Sequence, residues 1–409
     1  MRSAINNPFT PGSDTVPEVW AGRIEQLNDW SEVVRPRLLA GIDERGRTIL
    51  GEPGLGKSTL VRRIGQRAIA EGDWVTPQIR IPAGADPLKA VATSLLKLAD
   101  FAGLPALREK RIGAILDRVR EVSVSGISLT VDRAEGPEPY VALTQLLLEI
   151  GWAAIRARKA VLVHIDEMQN VTDSGALSQL LIALGDAISA RIVVEAPGGM
   201  EVERSLPIAV YLTGLPEFTE LASTRTGATF ARRFATTTLG PIPDKDLLLA
   251  LSPFVDPGWE VSNGEGGVAR IHMTQDAAAK IAELSYGEPF LFQLAGERAW
   301  YAGTGEIITV EDVMLGWAAG RREAAAHVER ILDRLPAKER EFVERMAELE
   351  PDRRTATTIA HVMGYEAAAN IGPIAQRLDT LRGIVTRGRR YVFRHRALEA
   401  YLTSDWPNV

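Results

Sequence analysis

The chain has 409 residues, 45% apolar and 24% charged, with a net charge of −6. That length predicts two or three domains with ample core material, and the negative balance argues against wholesale coating of nucleic acid while leaving room for a local basic patch. The absence of cysteine excludes disulfides, thiolate metal sites and cysteine nucleophiles, and fits a cytoplasmic setting.

The first residues, Met1 to Pro8, lack the apolar core of a signal peptide, and no apolar run approaches the ~20 residues of a membrane helix. Residues 1–18, rich in Pro, Gly, Ser and Asn, read as an arm or a loose tail. Helix is expected from Val19 to about Leu39, a strand at Arg47–Leu50, and a helix over Thr59–Ala68 with apolar residues at helical spacing. Trp74–Ile81 reads as a second strand, and Pro87–Phe101 and Pro105–Arg120 as helices. Val122, Val124, Ile127, Leu129 and Val131 nearly alternate with small polar residues, the pattern of a strand or hairpin. Tyr140–Arg158 is an apolar helix, and Ala160–Ile165 a continuous apolar run of the kind buried in parallel sheets. Ala176–Ala190 is helical; Pro207–Leu212 and Phe234–Leu239 are strands. Strands alternating with helices imply a parallel sheet covered on both faces.

Beyond Pro241 the pattern is helical to about Leu335, interrupted by a Gly/Asn-rich loop at 257–267. The last region, 336–409, holds helices at Ala337–Leu349, Thr355–Met363 and Pro373–Arg382. A hairpin of Ile384–Thr386 and Tyr391–Phe393 follows, flanking Arg387 to Arg390. Three helices and a hairpin make a winged helix-turn-helix. The expected organisation is an arm (1–18), an α/β core (19–241), an all-α region (242–335) and a winged helix (336–409).

Gly51 to Ser58 fits the phosphate-binding pattern G-x-x-x-x-G-K-[ST] between a strand and a helix. Gly51, Glu52, Pro53, Gly54, Leu55, Gly56, Lys57, Ser58 and Thr59 are therefore candidate ligands of ATP or ADP. Backbone N–H groups cradle the phosphates at a helix N-terminus, Lys57 adds a point charge, and the Ser58 hydroxyl reaches Mg²⁺. Asp166 and Glu167 end a buried strand downstream. Asp166 would hold Mg²⁺, and Glu167 would orient or deprotonate the attacking water; the other reading is an acidic pair at an exposed strand end. Thr213 either faces the γ-phosphate or satisfies a turn. Arg225, Arg232 and Arg233 either reach a neighbouring subunit's nucleotide or lie on a helix surface. Gly287-Glu288-Pro289 either packs on adenine or is a plain helix–helix turn, with Pro289 in the first turn of the next helix.

In the tail, Arg377, Arg382, Arg387, Arg389, Arg390, Arg394 and Arg396 stand against Asp379 on the third helix and the hairpin. They are candidate contacts to double-stranded DNA, or a solvated or protein-docking face. The eight tryptophans do not cluster with these arginines and read as packing residues. The five histidines, His164, His272, His327, His361 and His395, lack ligand spacing, so no protein-built metal site is expected.

The order of these motifs resembles the AAA+ P-loop ATPases, in particular the branch of origin-recognition-type and STAND ATPases, over nearly the whole chain. The resemblance makes Asn7 to Gly12 with Trp20 to Arg23 the entry segment near adenine, adding Gly22 and Arg23 to the nucleotide ligands. It makes Thr213 a sensor, Phe230 to Phe234 the arginine-finger segment, the helical region a lid and Pro289 part of the nucleotide contact. Asp166 to Gln169 is similar to the Asp-Glu-Met-Gln motif of bacterial AAA ATPases. Origin-recognition ATPases carry a lid arginine where this chain has Gly287-Glu288-Pro289. That departure favours a nucleotide switch over a replication initiator. The resemblance implies an ATP-hydrolysing, Mg²⁺-dependent switch that forms a homo-oligomer when ATP-bound. The alternatives are a DNA-binding ATPase of replication, transposition or segregation, and a regulatory ATPase of a protein effector, as in phage defence.

Overall fold

A computed structural model of the chain describes residues 2–12, 15–104, 138–195, 199–222, 232–262 and 267–409. They form two compact units: Ile24–Leu50 with Leu60–Thr237, and Met1–Arg23 with Gly51–Thr59 and Thr238–Val409. The expected helix over 105–120, the strand or hairpin over 122–131, and Arg225 lie outside the described residues.

The first unit is built on a sheet of β1 (Gly46–Leu50), β2 (Trp74–Val75), β3 (Ile79–Arg80), β4 (Val161–Asp166), β7 (Ile208–Gly214) and β8 (Phe234–Thr238). The order is β2-β4-β7-β1-β8, with β3 also on β4. β1 and β4 both run parallel to β7. Every residue of β4 and β7 is buried, which is why both read as unbroken apolar runs rather than alternating ones. The helices Pro87–Phe101, Pro139–Ala157 and Ser174–Ser189 contribute Leu95, Leu147 and Leu184 to the same core as Val163 and Val210. Asp86 and Asp173 cap two of these helices through backbone N–H groups, fixing where they start.

Two features depart from the sequence pattern. The strand expected over 74–81 is split. Val75 pairs with Leu162 but Ile79 with Ile165, so one extra residue sits on the edge strand, a bulge. Pro77 has no N–H to give the ladder, and the Thr76 hydroxyl instead accepts the N–H of His164. The second feature is an antiparallel pair, β5 (Arg191–Glu195) and β6 (Glu201–Ser205), which the pattern had not shown. The β-branched run Ile192-Val193-Val194 with Pro197-Gly198-Gly199 after it in the sequence was the signal there to be found.

The second unit holds the helices Asp244–Val255, Gln275–Ser285, Pro289–Tyr301 and Val310–Asp333. The helical expectation for 242–335 is met with one addition. β9 (Trp259–Ser262), β10 (Val268–Met273) and β11 (Ile307–Ile308) form a three-stranded sheet, so the stretch expected as a loop from 257 carries a strand. The helices Ala337–Ala347 and Ala356–Val362, a helical stretch over 372–381, the hairpin of β12 (Val385–Thr386) and β13 (Val392–Phe393), and a last helix Arg396–Thr403 follow. Trp300, Trp317, Phe254, Phe292 and Phe342 are fully buried in one core. The N-terminal segment is ordered against it: Phe9 stacks on Phe254, and Arg2 pairs with Asp312 at 2.9 Å.

Candidate nucleotide site

In the second unit the loop 51–56 leads into the helix that begins at Lys57. Gly54 has φ +84°, and a Cβ there would lie 2.2 Å from the His327 ring. Both the left-handed backbone and the close approach demand glycine. Lys57 Nζ donates to the Glu52 carbonyl at 3.0 Å, and Ser58 and Thr59 stand in the helix's first turn, where main-chain donors lack partners. Glu52 is buried and accepts from Arg334 at 3.0 Å.

The candidate residues distant in sequence meet this loop. Arg23, at φ +61°, donates to the carbonyls of Leu55 (3.2 Å) and Gly240 (2.7 Å). Burial pushes its guanidinium down to about 10. The Pro289 ring lies 3.7 Å from a Cβ placed on Gly56, and the Phe290 N–H donates to the Gly54 carbonyl. Gly22, at φ +61°, adjoins the side chains of Ile242 and Asp246 rather than the loop.

The turn 287–289 holds what sequence reasoning missed. Gly287 has φ +83°, and a Cβ would lie 2.4 Å from the Ile242 carbonyl. The next residue, Glu288, has no exposed surface. His327 Nε2 is 2.6 Å from its Oε2 and His395 Nδ1 is 3.0 Å from its Oε1. Burial opposes charge on Glu288, but the His395 charge and the His327 hydrogen bond outweigh it and hold the carboxyl down at about 2. Burial likewise opposes charge on His395, and Glu288 outweighs it, so that imidazole is raised. The histidines come from Val310–Asp333 and from the start of the last helix, and no spacing in the chain signals that they converge.

In the first unit the acidic pair ends β4. Asp166 is buried and accepts from three donors. The Thr213 hydroxyl and the Glu167 N–H (2.9 Å) reach Oδ1, and Gln78 Nε2 reaches Oδ2. The bulge in the edge strand sets Gln78 there, and Arg62 donates to its other end. Thr213 thus has its hydroxyl beside the acidic strand, bonded to Asp166. It has no exposed surface, and its oxygen also sits 3.0 Å from His164 Nε2. Burial pushes His164 down to about 4 against the pull of Asp166. The neutral ring thus carries its proton on Nε2 and donates to Thr213, which donates to Asp166; this tautomer is assigned from the network. Glu167 is half-buried at φ +61°, ψ 40°.

Four described non-glycine residues have positive φ: Arg23, Arg158, Glu167 and Tyr286. Arg158 and Tyr286 are left-handed helix C-caps, an ordinary use of that conformation. Arg23 and Glu167 are not C-caps: each precedes a helical turn, Glu167 as the N-cap of Met168–Asn170, where a left-handed residue with a side chain is uncommon.

The arginines divide. Arg232 is exposed, whereas Arg233 is held by Asp186 at 2.7 Å, so Arg233 is not presented as a finger. Arg382 is a correction. It is buried against Glu339 (3.0 Å), which also binds Arg377 at 2.6 Å, and a guanidinium so enclosed cannot reach DNA. Arg387 and Arg394 both hold Asp379. Arg389 and Arg390 are exposed, as is Arg353, which the sequence reading missed. The Tyr391 N–H donates to the Arg354 carbonyl at 2.7 Å, aligning the chain at Arg353 with the hairpin arginines.

No protein-family model matches the chain, and no curated protein matches it. Among solved structures it is similar to the ORC2 protein of Aeropyrum pernix in ADPNP–ADP complexes, at 16% identity over 96% of this chain and 97% of that one, with a TM-score of 0.54. It is also similar to the Walker-type ATPase PABY2304 of Pyrococcus abyssi, at 12% identity over 92% and 95%, with a TM-score of 0.50. The fold is that of the AAA+ P-loop ATPases. Among the described residues no helix is long and apolar enough to cross a membrane, and no cluster of three or more His, Asp or Glu could by itself hold a metal ion.

Proposed function

We propose that this chain binds ATP and hydrolyses it as a nucleotide-dependent switch of the STAND kind. One observation carries the hydrolytic part: Glu167 is held in a strained left-handed conformation at the carboxyl end of β4, beside an aspartate fixed by three donors. Ligands of open α/β sheets bind outside the carboxyl ends of the strands, and Glu167 follows directly on the carboxyl end of β4. In this reading loop N–H groups and Lys57 bind the phosphates, Arg23 and Pro289 brace the loop, and Glu167 takes the proton of the attacking water. Mg²⁺ suits the donor types present, a hydroxyl at Ser58 and a carboxylate at Asp166. The ion would neutralise phosphate charge. Lys57, Ser58, Asp166 and Glu167 need no side-chain chemistry beyond that of an AAA+ core.

The switch reading rests on Glu288. The turn that would carry a sensor arginine carries instead a buried acid clasped by His327 and His395. A loop packed on His327 through Gly54 can pass a change of nucleotide to the C-terminal helices. Arg232 supports a contact to a neighbouring copy's nucleotide in an ATP-bound homo-oligomer. The decisive measurement is ATP turnover by Glu167→Gln. It should bind ATP normally and hydrolyse it at least a hundredfold more slowly, in the range of losing a general base; unimpaired turnover would sink the assignment.

A second reading is favoured by the exposed arginines. The C-terminal elements have the order of a winged helix, with the wing at 387–390. Arg353, Arg389 and Arg390 are exposed there, while Arg377 and Arg382 are taken up by Glu339. We propose that any DNA contact runs through the wing to the phosphate backbone rather than through base reading by the third helix.

A further inference from the structure

Glu167 does not stand alone. The single 3-10 turn after β4, Met168–Asn170, carries Gln169, whose amide is used at both ends. Its Nε2 donates to Glu167 Oε2, and its Oε1 accepts the Leu215 N–H at 2.9 Å. Leu215 follows directly on β7, which ends at Gly214. A Cβ on Gly214 would lie 3.0 Å from Gln169 Oε1 and 3.4 Å from Met168 Cβ, so the amide is wedged with little room to turn. Thr213, one residue earlier, binds Asp166. Two positions two residues apart, Thr213 in β7 and Leu215 just after it, therefore grip two successive carboxylates at the end of β4: Thr213 holds Asp166 directly, and the Leu215 N–H holds Glu167 through Gln169.

A carboxylate on a left-handed residue is not oriented by strand geometry, because it has left the pleat. Something else must fix its rotamer, and the donor in place is the Gln169 amide. A neutral amide is suited to this: it orients an anionic oxygen without contributing a counter-charge that would quench its basicity. The second oxygen of Glu167 is left for a water.

We infer that Gln169 is a positioning residue for hydrolysis: it sets the orientation of the water-activating Glu167 and ties it to the segment 214–215 after β7. A displacement of that segment reorients the base without touching the nucleotide. The inference rests on the hydrolytic reading of Glu167.

The test is single-turnover and steady-state ATP hydrolysis by the full chain carrying Gln169→Leu, Glu167→Gln or both, with ADP affinity measured separately. Gln169→Leu should lower kcat about tenfold or more, with the KM for ATP and the affinity for ADP within twofold of the parent. The double variant should be no slower than Glu167→Gln alone, since Gln169 acts through Glu167. Gly214→Ala, which crowds the amide from the other side, should lower kcat in the same way. If Gln169→Leu does not fold, Gln169→Met, which keeps the length of the side chain and loses the donor to Glu167, carries the same expectation. An inactive Glu167→Gln beside a fully active Gln169→Leu overturns the inference alone, as does a double variant slowed by the product of the two single effects. A fully active Glu167→Gln overturns the hydrolytic reading itself.

Discussion

Replacing Glu288 by Gln tests whether the buried acid organises the unit that carries the phosphate loop. The carboxyl has no exposed surface and faces two imidazoles at 2.6 and 3.0 Å. Glutamine keeps the shape and removes the charge, leaving the buried His395 cation without its counter-ion. Removing one partner of a buried pair costs about 3–5 kcal/mol. For a unit of 150–250 residues each kcal/mol moves the midpoint about 2–4 °C, so scanning calorimetry at pH 6 should show a transition lowered by about 6–20 °C. The pH dependence has a definite sign. His395 is raised in the fold, so its contribution is fully present below its ordinary value of 6.5 and is lost as pH rises through the raised value. Glu288 is lowered to about 2, so its share is present above 4.5 and lost as pH falls toward 2. The gap between parent and variant should therefore be largest near pH 5–6 and narrow toward alkaline pH. A gap that widens with pH, or none at pH 6, refutes the reasoning.

Lys57→Ala should lose measurable binding of ADP and ATP in titration calorimetry; unchanged affinity would contradict the phosphate-loop assignment. Arg353, Arg389 and Arg390 replaced together by Ala should flatten the dependence of log affinity for double-stranded DNA on log salt by about 2.7, the release expected for three phosphates; an unchanged slope excludes the wing. Arg382→Ala should instead lower thermal stability and leave that slope alone, because its partner is the buried Glu339. His164, lowered to about 4 from 6.5 by burial, contributes stability that is present above 6.5 and lost as pH falls toward 4, roughly 3 kcal/mol in all. His164→Gln should flatten the acid limb of the stability profile over that interval, and an equally steep limb would show that the ring is not held neutral.

Much of the sheet was legible because burial on both faces leaves a signature. The runs at Val161–Asp166 and Ile208–Gly214 are apolar without alternation, and their helices start at Asp and Pro residues that cap them. The candidate phosphate loop stands out in the sequence because its pattern is local: glycines, a lysine and a hydroxyl within eight consecutive residues. What escaped was either short or assembled from afar. β9 and β5 are four and five residues long, beside glycine-rich sequence that reads as loop. The basic character of the tail misled because composition counts charges and not their partners. Glu339 lies far upstream of Arg377 and Arg382 in sequence, yet it binds both.

The same distinction bears on the missing lid arginine. Sequence shows an acid at position 288 and two unremarkable histidines at 327 and 395, and residue type alone cannot say whether they meet. Once they meet in a site with no solvent, the acid is no passive substitute for a cation. Its charge is held against burial by the His395 charge and the His327 hydrogen bond. His327, sharing that carboxylate, is packed on Gly54 of the phosphate loop, and Arg334, from the end of the same helical segment, binds the loop's own Glu52 at 3.0 Å. In the proposed switch, a ligand that shifts the loop would disturb charges buried too deeply for water to compensate.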